Sequence, residues 1–184
     1  MKKTVLLSVG IVCAALASGL VHAAQASAYG GQESREIKSI SPEDVEAYLS
    51  GKGMGLAKAA ELNGYPGPSH VLALAGELGL SAEQKQRTES LFKGMESKAI
   101  PLGRRFIDEE RKLDRMFADK TVTRDALAKS LQRIGALQAQ VRQAHLDAHL
   151  AQAVILTPAQ VAKYMELRGY SGAAKTEDHK GHKH

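Results

Sequence analysis

Between Ala82 and Asp119 the apolar residues Leu91, Phe92, Met95, Leu102, Phe106, Leu113, Met116 and Phe117 recur mostly at gaps of three and four. That spacing places them on one stripe and predicts a long amphipathic helix. Pro101 interrupts the pattern. With no N–H and a ring that crowds the preceding turn, it predicts a kink near Ala99–Ile100, or else a true break. Lys120-Thr121-Val122-Thr123 reads as a turn, with Thr123 capping a second helix that reaches about Val154. The inner face of that helix is predicted to carry Leu127, Leu131, Ile134, Leu137, Val141, His145 and Ala148. The same stripe then meets polar Gln152, where packing is expected to thin. Leu146 and Leu150 fall on another face.

Shorter elements flank this pair. Ser41-Pro42-Glu43-Asp44 combines a cap, a proline at the first helical position and acids in the first turn, so a short helix should run from there to Gly51. Met54 to Leu62 predicts a second short helix. The prolines of Tyr65-Pro66-Gly67-Pro68 push their preceding residues into an extended turn. Ser69 is then expected to cap a helix through Leu80, with Val71, Leu72, Leu74, Ala75 and Leu78 as its apolar positions. A last helix from Pro158 to about Arg168 offers Val161, Tyr164, Met165 and Leu167. Because a short loop forces two long helices antiparallel, the expected fold is all-α: a long kinked antiparallel helical hairpin with short flanking helices. An open hairpin buries little surface alone, which points to dimerisation.

Composition narrows the picture. The 184 residues include no Trp and only 4% aromatics, so the core should be thin and built from Leu, Ala, Met and Val. The formal charge is +5, with both signs interleaved along the helices. No basic run carries interleaved aromatics, which argues against a nucleic-acid partner. Met1-Lys2-Lys3, the apolar run Val5 to Leu20 and the small-x-small pattern Val21-His22-Ala23 read as a secretory signal peptide over residues 1–23. A retained anchor is the weaker alternative, since about 16 apolar residues fall short of the roughly 20 that a spanning helix uses. Cys13, the single cysteine, lies inside that signal, and Val12 before it spoils a lipoprotein-type cleavage site. The mature chain must therefore hold together by packing, without a disulfide, in a secreted or periplasmic setting. Residues 24–40 are small, polar and aperiodic and read as a flexible leader; 41–172 form the helical domain; 173–184 form a His-rich tail.

Two pentapeptides bracket the hairpin. Leu80-Ser81-Ala82-Glu83-Gln84 and Leu156-Thr157-Pro158-Ala159-Gln160 each place a hydroxyl at a cap and a Gln three residues on, which makes a capping box. Leu156 and Val161 can add a hydrophobic staple, which Lys85 denies to the first copy. Taken together, the paired L-[ST]-x-x-Q motifs resemble those of the Spy/CpxP group of periplasmic proteins, which includes the metal-responsive ZraP and CnrX members. The resemblance spans roughly Ser69 to Gly172. It implies a curved antiparallel homodimer in the periplasm, acting on unfolded clients without ATP or docking on a membrane sensor or regulator.

Histidines supply the candidate chemistry. His145 and His149 are four residues apart, so both imidazoles leave one helix face and can share one metal ion. Two half-exposed helix histidines with no ligand are an equal alternative from spacing alone. The metal-responsive branch implies more, since its sites draw on such a pair and on histidines just ahead of the first Leu-x-x-x-Gln motif. His70 stands there, but Leu74 occupies the place of a second histidine, so the ligand set is incomplete. His179, His182 and His184 in the tail can capture Zn, Cu or Ni loosely, and the resemblance adds Co to the divalent candidates for the helical site. No cofactor is required. Met95, Met116 and Met165 sit at core spacing and read as packing. Gly51-x-Gly53-x-Gly55 lacks the Gly-Lys-Ser/Thr ending and the preceding strand of a nucleotide loop. Glu109, Glu110 and Asp114 read as a solvated face balanced by Arg104, Arg105, Arg111 and Lys112. With no nucleophile elbow and no His-Glu-x-x-His helix, the chain is not expected to be an enzyme.

Overall fold

The computed structural model describes residues 27–170. The segment read as a signal peptide, residues 1–23, and the tail histidines His179, His182 and His184 lie outside the described residues. Among these, six α-helices and no strand occur: α1 (Pro42–Leu49), α2 (Lys58–Glu61), α3 (Pro68–Ala73), α4 (Ala82–Ala118), α5 (Arg124–Ile155) and α6 (Pro158–Leu167). Residues 27–33 form a turn, closed by bonds from Gly30 N–H to Ser27 O and from Gln32 N–H to Tyr29 O, and group apart from the body that begins at Ser34. No described helix is long and apolar enough to cross a membrane.

The long helices α4 and α5 pack along each other, and α1, α2 and α3 cover them. Helix α4 continues through Pro101, which is exposed, so the chain does not break there. Exposure lets the freed carbonyl of the preceding turn meet water, which lowers the cost of the missing bond. Thr123 caps α5 by accepting from Ala126 N–H, and Ser41 caps α1 by accepting from Asp44 N–H. The third helix starts earlier than its sequence suggests. Gly67, not Ser69, is its cap, Pro68 takes the first helical position, and the helix ends at Ala73. The apolar run Met54 to Leu62 yields only the single turn of α2.

The apolar core is a block of Tyr48, Phe106, Ile107, Ile134, Leu137 and Val141, completed by Ile37. Fully burying side chains of this size contributes on the order of 2 kcal/mol each. Ile37 belongs to the segment read as a polar leader, yet only 2% of it is exposed. Its neighbours explain the docking: Lys38 bonds Asp114 through both its N–H and its ammonium, Ser39 donates to Glu110, and Glu36 pairs with Arg111. Glu110 and Asp114 therefore tie the N-terminal segment to α4, and Glu109 joins Lys112 to Arg133 of α5. The acidic face is partly buried, not simply solvated. Gly103 lets α1 approach α4 closely, for a Cβ there would stand 2.3 Å from the Tyr48 carbonyl oxygen.

Two expectations shift along the hairpin. Phe117 and Leu131, read as inner-face residues, are 56% and 50% exposed near the turn, and Ser130 takes the inward position instead. Gln152, where packing was expected to thin, is fully buried and donates to Thr88 Oγ1, which in turn donates to the Gln84 carbonyl.

Both capping boxes form, and they meet. Gln84 and Gln160 exchange side-chain hydrogen bonds, Nε2 to Oε1, at 2.8 Å and 3.1 Å. Gln84 also donates to the Ile155 carbonyl at the end of α5, and Gln160 to the Leu78 carbonyl before α4. Each Gln thus closes its own helix start while binding the other, which fixes where α4, α5 and α6 come together. Leu156 and Val161 join Val71, Leu78 and Tyr164 in a second apolar cluster beside this junction, with Leu80 packed on its edge.

Candidate functional site

The site grows from one buried carboxylate. Glu61 ends α2, and its side chain is only 9% exposed. Its Oε2 accepts from Gly67 N–H at 3.2 Å, at the start of α3. Its Oε1 accepts from the Tyr164 hydroxyl of α6 at 2.5 Å and from the Tyr170 hydroxyl at 3.3 Å. The Arg168 guanidinium lies beside it, Nε 3.4 Å from Oε1, while its Nη2 donates to the Tyr170 hydroxyl. Burial first, and the Glu61 bond second, raise the Tyr164 phenol above its ordinary value, so it stays protonated and acts as donor.

Two histidines face the same carboxylate. His70 Nδ1 is 3.6 Å from Oε1 and His149 Nδ1 is 3.7 Å from Oε2, both beyond hydrogen-bond reach. His149 Nδ1 instead meets the Tyr65 carbonyl at 2.7 Å. A carbonyl only accepts, so Nδ1 carries a proton, and a lone pair on this ring can sit only on Nε2. Gly67 is shaped to this ring, since a Cβ there would stand 2.9 Å from His149 Cε1.

His145, one turn before His149, is buried on α5, as are Ala144 and Ala148. Among the described residues its Nε2 has no hydrogen-bond partner, and neither does His70 Nδ1. Burial, and then the neighbouring His149, hold the His145 imidazole below the usual histidine value. Burial and then the Arg168 charge do the same for His70, against the opposing pull of Glu61. All three rings and Glu61 line one cavity of about 520 Å³. Met54 and Met95 line it too, as does the Gly51–Gly55 loop. That loop is a cavity wall: Gly53 lies against His145, where a Cβ would stand 3.8 Å from Nδ1.

The sequence-predicted residues His70, His145 and His149 are therefore brought to one cavity from α3 and α5. Leu74, where a further histidine was wanted, instead packs with the Val71–Tyr164 cluster. Glu61, Tyr164, Arg168 and Tyr170 escaped the sequence reading. The one available signal was an acid within the otherwise apolar run Ala59-Ala60-Glu61-Leu62, next to a turn.

The donor set suits a borderline divalent cation: two buried imidazole nitrogens with no partner, a third ring with a free Nε2, and one carboxylate. As they stand, no three His, Cys, Asp or Glu side chains of the described residues are close enough to hold one ion together. Ligation thus requires side chains to move. No family model, curated protein or solved structure matches this chain.

Proposed function

We propose that this is a periplasmic, metal-responsive helical-hairpin protein of the Spy/CpxP kind, binding a divalent transition metal in the cavity of His70, His145, His149 and Glu61. The carrying observation is the unpartnered His70 Nδ1, 3.6 Å from the Glu61 carboxylate, in a cavity that His145 and His149 also line. Glu61, His70 and His149 come from α2, α3 and α5, so an ion held among them would tie the N-terminal helices to the hairpin. A cation also replaces what these buried nitrogens lack in its absence. The paired capping boxes and the all-helical hairpin support the family reading, and with it a homodimer that reports to a membrane sensor or regulator.

The test is a Zn titration of the full chain carrying His179→Ala, His182→Ala and His184→Ala, which stops the tail from masking the cavity. Micromolar or tighter binding that His145→Ala/His149→Ala abolishes is the expected result. Equal binding by that double variant, or none by either protein, overturns the reading.

One observation favours a second reading, a chaperone without nucleotide. Val154 of α5, 80% exposed, lines an open groove with Arg87 and the half-buried Leu91 and Ile155, and Leu150, one turn earlier on α5, is 54% exposed. Such a mixed apolar and basic surface suits weak capture of unfolded chains. Leu150→Ser/Val154→Ser should then weaken suppression of client aggregation while leaving Zn binding intact.

A further inference from the structure

The contacts of Glu61 carry a regulatory consequence that rests on the metal-binding reading. A carboxylate oxygen offers about two acceptor sites. Both sites of Oε1 are taken by groups from one end of the chain, the Tyr164 and Tyr170 hydroxyls, with the Arg168 cation alongside. Oε1 is also the oxygen that His70 faces. Two ligands of a tetrahedral ion with bonds of about 2.0–2.1 Å stand roughly 3.4 Å apart. The 3.6 Å between His70 Nδ1 and Oε1 is already close to that separation. An ion shared by this pair must therefore take an acceptor site from a tyrosine, and it would be repelled by Arg168.

We propose that Glu61 is an exchange point: an ion ligated by Oε1 and His70 displaces the tyrosine hydroxyls, coupling ion uptake to release of α6 and the turn after it from α2. Among the described residues these are the only polar ties from α6 and the turn after it to α2, and Arg168 Nε, which lacks a hydrogen bond, has no ion-pair partner other than Glu61. Displacing them loosens α6 at its C-terminal turn, while the Gln84–Gln160 bonds hold its first turn in place. Coupling of this kind is reciprocal: the factor by which the ion weakens the α6 contacts is the factor by which those contacts weaken ion binding, so removing them raises ion affinity.

The experiment again uses the full chain with the three tail histidines replaced by Ala, titrated with Zn alone. Amide hydrogen exchange is followed over residues 158–168, and Zn affinity is compared among the parent, Tyr170→Phe and Tyr164→Phe. Both phenylalanines keep the ring and remove a hydroxyl that donates to Oε1, and Tyr170→Phe also takes away the acceptor of Arg168 Nη2. The expected result is faster exchange in the second half of α6 on Zn binding, and affinity raised by about fivefold or more in either variant. Zn binding that His145→Ala/His149→Ala abolishes, but with unchanged α6 exchange and parent-like affinity in both variants, overturns the exchange and leaves the metal reading standing. No Zn binding by the parent overturns both. Tyr170→Phe touches only a half-buried position, so it remains informative if Tyr164→Phe, at the buried ring, proves unstable.

Discussion

The hairpin is filled in two different ways. Around Phe106 and Ile107 the contacts are apolar and close: Tyr48 lies on Phe106 with ring centroids 4.5 Å apart, and Gly103 gives its missing side chain to the backbone of α1. Around Glu61 the buried groups are polar, held by directional bonds and bordered by a cavity. The first arrangement is stabilised by shape and tolerates no added volume. The second buries a carboxylate and the His145 imidazole and partly covers two more imidazoles and a guanidinium, at a desolvation cost that packing alone would avoid. The contrast separates a block that holds the hairpin from the cluster to which we assign metal binding.

The largest expected effect is in the apolar block. Gly103→Val should destabilise the chain by about 3 kcal/mol, since the clash is with a backbone carbonyl that cannot rotate away. Urea unfolding measures this. A loss below about 0.5 kcal/mol, the level of an ordinary surface change, would show that α1 does not rest on α4 as described.

The junction where the start of α4, the end of α5 and the start of α6 meet should respond less. Gln84→Ala and Gln160→Ala each remove a capping-box acceptor and the amide that bonds the other motif, for about 2 kcal/mol apiece. Because the two side chains bond each other, the double variant should cost less than the sum, with a coupling of about 1 kcal/mol in a double-mutant cycle. Strict additivity would mean that the two motifs cap their helices independently.

The smallest effect is the most specific to the polar block. The His145 and His70 imidazoles are held below the value that they have in the unfolded chain, so the unfolded state binds protons first as the pH falls. Their contribution is fully present above about pH 6.5 and is lost as the pH falls from there through the folded-state value. The urea midpoint should therefore drop on acidification from neutrality, and the drop should shrink in His145→Gln. An equal drop in that variant would assign the acid sensitivity to other groups.

These differences also show what could be read before any coordinates existed. The two long helices, their caps and both capping boxes follow from local chemistry: a hydroxyl three residues before a Gln satisfies a free N–H wherever the chain goes. The approach of His145 and His149 on one face is likewise a property of helical geometry. Even so, helical periodicity did not distinguish Leu131 from Ser130 as the inward residue. The two positions differ by only one step around the helix, and packing near the turn decided between them.

The sequence by itself therefore determined an all-helical hairpin, its boundaries at Ser81, Thr123 and Thr157, and a histidine pair on α5. Those features depend on neighbours within about one helical turn. Only the tertiary structure decided that Ile37 completes the core, that Gln84 and Gln160 bond each other across 76 residues, and that Glu61 gathers His70, His149, Tyr164 and Arg168. Such meetings depend on how α2, α3 and α6 fold back onto the long pair. A single acid at the end of a one-turn helix carries no local mark of the partners that will surround it.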